Sequence, residues 1–172
     1  MLTSDGPADT KARLSWLKTQ HGFGSTTARL IVDRVEGRGA EATDVQAYLA
    51  VATRYVEDMY SGAKVGLRPL HDALVRHALA LGDDVKVSPR KTIVSLYRNH
   101  VFAEIKPATK TRVDFGLALK GVGRRVPQRL LETGGLEKGD RITHKIPVSD
   151  PAEIDGQLLE WLRLAYELDA GA

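Results

Sequence analysis

The feature that most constrains the fold of this chain is a change of hydrophobic period at Gly82. Before it, apolar residues recur at helical spacing; after it, they alternate. A chain written that way folds as helices, then an antiparallel sheet, and its apolar C-terminal segment adds a closing helix.

The helical half reads in four segments. Leu14, Trp16 and Leu17 give a first helix an apolar face that stops at Gly22. Ser25 caps a second, with Ala28, Ile31, Val32 and Val35 in register until EGRG at 36 to 39. Thr43 begins a third, with Gln46 in the capping-box position and Val45, Leu49, Ala52, Val56 and Met59 on one face. A fourth runs through Leu67, Leu70, Leu74, Ala78 and Leu81, with Pro69 in its first turn and Gly82 at its end. These segments divide the chain into a helical region, 1 to 60, and an α+β module, 61 to 172.

Four strands are expected in the module. Thr92 to Arg98 and Val101 to Lys106 flank Asn99-His100, a two-residue hairpin loop in which Asn tolerates positive φ. With Arg98 opposite Val101, Leu96 meets Ala103 and Val94 meets Ile105 on the core face. Tyr97 meets Phe102 and Ser95 meets Glu104 on the other. Arg112 to Lys120 alternates, with Val113, Phe115, Leu117 and Leu119 inward. Ile142 to Val148 is the fourth strand, and Asp150-Pro151 starts a helix carrying Ile154, Leu158, Trp161, Leu162 and Ala165. Residues 121 to 139 have no clear period and read as a long loop. The expected fold is α+β, an N-terminal helical region followed by a four-stranded antiparallel sheet packed with helices.

Charge is unevenly distributed. The whole chain carries +3, but Lys86 to Lys145 holds 14 Lys and Arg against 5 Asp and Glu, a balance of +9 that leaves −6 elsewhere. One basic surface follows, attractive to a polyanion or to a small anionic ligand. The absence of cysteine excludes disulfides and thiolate chemistry, and with no membrane-spanning apolar run a soluble, cytoplasmic protein is expected.

Two constellations point to nucleic acid. In HGFGSTTARLI, residues 21 to 31, the glycines let backbone N–H groups approach an oxyanion at the positive end of the next helix. Gly22, Gly24, Ser25, Thr26 and Thr27 form the cradle, with Lys18 and Arg29 adding charge. The same residues also read as a glycine-terminated helix followed by a Ser-capped one. On the open sheet face, Tyr97 and Phe102 side by side, with Arg90, Lys91, Lys106, Arg112 and Lys120 around them, would form a stacking platform ringed by cations. The same aromatic pair also fits under a helix or loop of this chain.

Other chemistry finds less support in the residues. Asp84 with Glu104-Ile105-Lys106 has the outline of a metal-dependent nuclease site, in which two carboxylates hold a divalent ion. The five histidines lack metal-ligand spacing, and no G-x-S-x-G elbow or P-loop lysine is present. No catalytic residue, metal or cofactor is therefore assigned.

Several stretches carry resemblances. HGFGSTTARLI resembles a helix-hairpin-helix, which implies DNA phosphate contacts without base readout; it departs from that pattern at Gln20 and at His21, where proline is usual. The span from YSGAKVGLRPLHDAL through KTRVDFGLALKGV to LLEWLRLAYEL resembles an uncharacterised bacterial family, and also the tail domain of predicted transport proteins. WLKTQHGFGSTTARLIV resembles a short helical domain of unknown function fused ahead of it. The resemblance implies architecture and no reaction, and GGLEKGDRITH at 134 to 144 departs from the family's pattern.

The reading that results is a non-enzymatic nucleic-acid-binding protein without sequence-specific readout. The alternatives are a module binding a protein or a small anion, held by Arg90, Lys91 and Arg112 in a pocket between sheet and closing helix, and the nuclease.

Overall fold

The computed structural model describes residues 6–37, 45–123 and 125–171. The chain divides into two compact units, 1–51 and 52–172, and the division falls inside the third helix rather than at its end. The expected Thr43 cap and the Arg124 position of the long loop lie outside the described residues. Among the described residues, no helix is long and apolar enough to cross a membrane.

The first unit holds a helical hairpin, α1 (Thr10–His21) and α2 (Ser25–Val35). Asp9 caps α1 by accepting the N–H of Ala12, and Gly22 ends it at φ 66°. Only a residue without Cβ takes that left-handed turn at no steric cost. Leu17, Ala28 and Val32 are buried between the two helices, with Leu14, Trp16 and Ile31 packed around them.

α3 (Val45–Met59), whose second half belongs to the second unit, leads through a 3-10 segment, Gly62–Leu67, into α4 (Arg68–Leu79). Beyond Gly82 come β1 (Lys86–Pro89), β2 (Val94–Tyr97), β3 (Val101–Pro107) and β4 (Val113–Leu117). The unreadable loop contains β5 (Leu131–Glu132) and the short α5 (Gly135–Lys138); β6 (His144–Val148) and α6 (Gly156–Ala170) complete the chain. The sheet has six strands in the order β1-β2-β3-β4-β6-β5, with every neighbour antiparallel. The four-stranded expectation is corrected by β1 and β5, each too short to show an alternation of its own.

One face of the sheet is the core. Val94, Leu96, Ala103, Ile105, Phe115, Leu117, Ile146 and Val148 are all completely buried there, in one cluster with Leu158, Trp161, Leu162 and Ala165 of α6 and Leu70, Leu74 and Ala78 of α4. At these positions apolar side chains fill the space between sheet and closing helix, and Arg90, Lys91 and Arg112, expected around a pocket there, are not among them. The start of α6 is corrected too. Asp150 caps only a 3-10 turn, Pro151–Glu153, in a reciprocal capping box, and Asp155 caps α6 by accepting the N–H of Leu158.

Candidate functional site

The face of the sheet away from α6 is built by the residues between the core positions. Register sets Ser88, Ser95, Glu104, Gly116 and Lys145 in one row across the strands, with Lys106 and Asp114 paired in the next. Two turns meet at one end of this face. The β1–β2 turn closes through Arg90 N–H to the Ile93 carbonyl at 2.8 Å, and the β3–β4 turn through Thr109 N–H to the Arg112 carbonyl at 3.2 Å. Because Val94 pairs with Ile105 and Pro107 with Val113, both turns lie at the same edge. Arg90, Lys91, Lys106, Lys110 and Arg112 therefore gather there, all but Arg112 exposed.

The two carboxylates of the face differ in their surroundings. Asp114 is satisfied, taking Arg112 Nε at 2.9 Å and Lys145 Nζ at 2.7 Å. Glu104 is half-buried; among the described residues its hydrogen-bond partner is the Ser95 hydroxyl at 3.3 Å, and no cation is in ion-pair contact with it. Burial holds its carboxyl above the usual range, against the smaller lowering effects of the Ser95 hydroxyl and of the Arg90 and Lys106 charges. A groove of about 240 Å³ opens beside it, lined by Ile93, Glu104, Lys106, Asp114, Gly116, Thr133, Ile142 and Lys145. Ile142 lies over Gly116, where an added Cβ would come within 2.7 Å of its Cγ2.

The wall carrying Thr133 and Ile142 is an ordered excursion between β5 and β6. Thr133 Oγ1 donates to the Ile142 carbonyl at 2.8 Å and accepts the Gly135 N–H at 3.1 Å, while Asp140 N–H reaches the Gly135 carbonyl at 2.8 Å. Lys145, Thr133, Ile142 and the Asp114 double ion pair are absent from the sequence-based site, since only the crossing of β6 beside β4 brings them in. The one signal for them is the outward position of Asp114 in an alternating strand.

Three sequence-based placements are corrected. Tyr97 and Phe102 do not stand side by side. The predicted register holds for Val94–Ile105, Ser95–Glu104 and Leu96–Ala103, but then slips, so that Tyr97 pairs with Val101 and Phe102 becomes the extra residue of a bulge. Phe102 is completely buried and meets the Tyr166 ring edge-on, with centroids 5.6 Å apart. Tyr97 remains on the open face, where Arg90 Nη2 donates to its hydroxyl at 3.2 Å.

Lys120 does not join Arg112, because the two flank opposite ends of β4; it lines a separate cavity with Arg141 and Asp169. Asp84 does not face Glu104 either. Its carboxylate accepts the Tyr166 hydroxyl at 2.7 Å and Arg98 Nε at 2.7 Å, on the side of the sheet that α6 covers. Those two hydrogen bonds, Tyr166 first, hold its pKa below the usual range.

In the helical unit, Gly22, Gly24, Ser25, Thr26 and Thr27 are exposed. Among the described residues no side chain caps α2, and its first intrahelical bond is Ala28 N–H to the Gly24 carbonyl at 2.9 Å. The N–H groups of Ser25, Thr26 and Thr27 thus precede the hydrogen-bonded ladder. The charge expected from Arg29 is compensated by Asp33 at 3.2 Å.

The chain matches no curated protein and no solved structure. Residues 56–169, from the end of α3 to the last turn of α6, match the family model of a domain of unknown function, DUF5655, and the chain belongs to that family.

Proposed function

We propose that this protein is a non-enzymatic nucleic-acid-binding protein whose affinity comes from phosphate contacts at the basic end of its sheet. The supporting observation is the convergence of Arg90, Lys91, Lys106 and Lys110, which have no ion-pair partner among the described residues, at the edge where two hairpin turns meet. Cations not already matched to carboxylates release the counterions of a polyanion when they bind it. With Phe102 in the core, stacking contributes at most through Tyr97. Such contacts position a strand without reading its sequence.

The helical unit supports a second point of attachment, through the uncapped N–H groups of Ser25, Thr26 and Thr27. In this reading the chain has two parts, an N-terminal helical module fused to a domain of the kind found at the tail of predicted transport proteins.

Fluorescence anisotropy of labelled single- and double-stranded DNA and RNA across a salt series tests the proposal. Binding is expected to weaken steeply with salt, and each of R90A, K91A and K110A to lower the slope of log K against log salt by roughly 0.7 to 0.9. Absence of binding at low salt sinks the proposal.

A further inference from the structure

We infer that the groove beside Gly116 receives one unpaired base of the bound strand and favours guanine, whose paired N–H edge Glu104 would accept. The inference rests on the nucleic-acid reading above and adds a base preference to it.

The groove is suited to a flat ring. Its volume of about 240 Å³ is bounded by Ile93 and Ile142 as apolar walls, with the Ile142 side chain seated over Gly116. Acceptor capacity inside it is concentrated on one group. Asp114 is occupied by Arg112 and Lys145, whereas Glu104 has the Ser95 hydroxyl on Oε1 and no cation in contact among the described residues.

A partly desolvated carboxylate without a cation gains most from two N–H donors arriving together. Guanine presents such a pair, N1–H beside the N2 amino group. Adenine and cytosine offer a single amino group, and thymine and uracil a single ring N–H. Lys106 lies two residues along the same face of β3, about 7 Å from Glu104, and stands beside the basic edge where the phosphate of the same nucleotide would run.

The test is anisotropy with a labelled short oligothymidylate, the same strand carrying one central dG, and a third carrying deoxyinosine, which lacks the N2 amino group, in its place. Wild-type protein is expected to bind the dG strand about tenfold more tightly than the all-thymidine strand, with most of that gain lost for deoxyinosine. E104Q is expected to bind the three strands with equal affinity, without the dG preference.

Equal wild-type affinity for the dG and all-thymidine strands overturns the base preference and leaves the phosphate reading standing, whereas no binding of any strand at low salt overturns both. Persistence of the dG preference in E104Q, or an equal loss across all three strands, also overturns it. The deoxyinosine comparison uses wild-type protein, so it decides the question even where the variant fails to fold.

Discussion

Asp169 Oδ2, in the last turn of α6, accepts the backbone N–H of His100 at 2.9 Å. The same oxygen takes the Asn99 N–H at 2.8 Å, and Oδ1 takes Arg141 Nη2 at 2.6 Å and lies 3.3 Å from His100 Nδ1. One carboxylate, 1% exposed, therefore holds the β2–β3 turn, the end of α6 and the segment before β6 together. An acidic group near a helix C-terminus is unfavourable by itself, so these partners must outweigh the dipole. Asp169→Ala is expected to cost about 3 kcal/mol, measured by urea denaturation, because it leaves two backbone donors without their partner. A loss under about 0.5 kcal/mol would contradict the clamp.

His71 makes stability depend on pH in a defined window. Its ring lies 4.8 Å from that of Tyr60, and both His71 Nδ1 and the Tyr60 hydroxyl are buried without a hydrogen-bond partner among the described residues. Burial lowers the imidazole pKa to about 4 and raises that of the phenol. The unfolded chain, with a pKa near 6.5, then binds more protons than the folded one between these values. Stability from this group is complete above pH ~6.5 and lost as pH falls towards ~4, by on the order of 3 kcal/mol. His71→Phe is expected to flatten that part of the curve; an unchanged slope in thermal melts across this window would refute the assignment.

Phe102 and Tyr97 separate stability from surface. Phe102→Ala is expected to destabilise by roughly 3 to 5 kcal/mol, as for other buried aromatics. Tyr97→Ala, on the half-exposed face, is expected to change stability by no more than about 1 kcal/mol and to weaken single-strand binding modestly. Equal stability losses in the two variants, read from denaturant midpoints, would contradict the observed register.

Gly135 is required at its position. A Cβ there would collide with the backbone carbonyl of Ile142, which cannot yield as a side-chain tip does. Gly135→Ala is expected to lose about 1 to 3 kcal/mol and to loosen the wall of the groove. Hydrogen exchange at the Gly135 and Asp140 amides reads that loosening directly, and unchanged protection would count against it.

The order of elements and the core face of β2 to β4 were legible in the sequence because they depend on period and punctuation, which are local properties. The first helix ending at Gly22 and the inward row Val113, Phe115, Leu117 followed from spacing alone. So did the basic character of the segment containing Arg90, Lys91, Lys106 and Arg112. Strand β1 and the two-residue β5 were hidden, since each is too short to show an alternation of its own. Tertiary structure alone decided the side of Phe102. A one-residue bulge moves a side chain from one face to the other, and the gain that selects the bulge is the burial of that ring against Tyr166, 64 positions away along the chain. The groove was decided in the same way, by β6 crossing beside β4 to bring Lys145 to Asp114 and Ile142 over Gly116. Contacts between residues so far apart leave no periodic trace, because their energy is realised only when the sheet has closed.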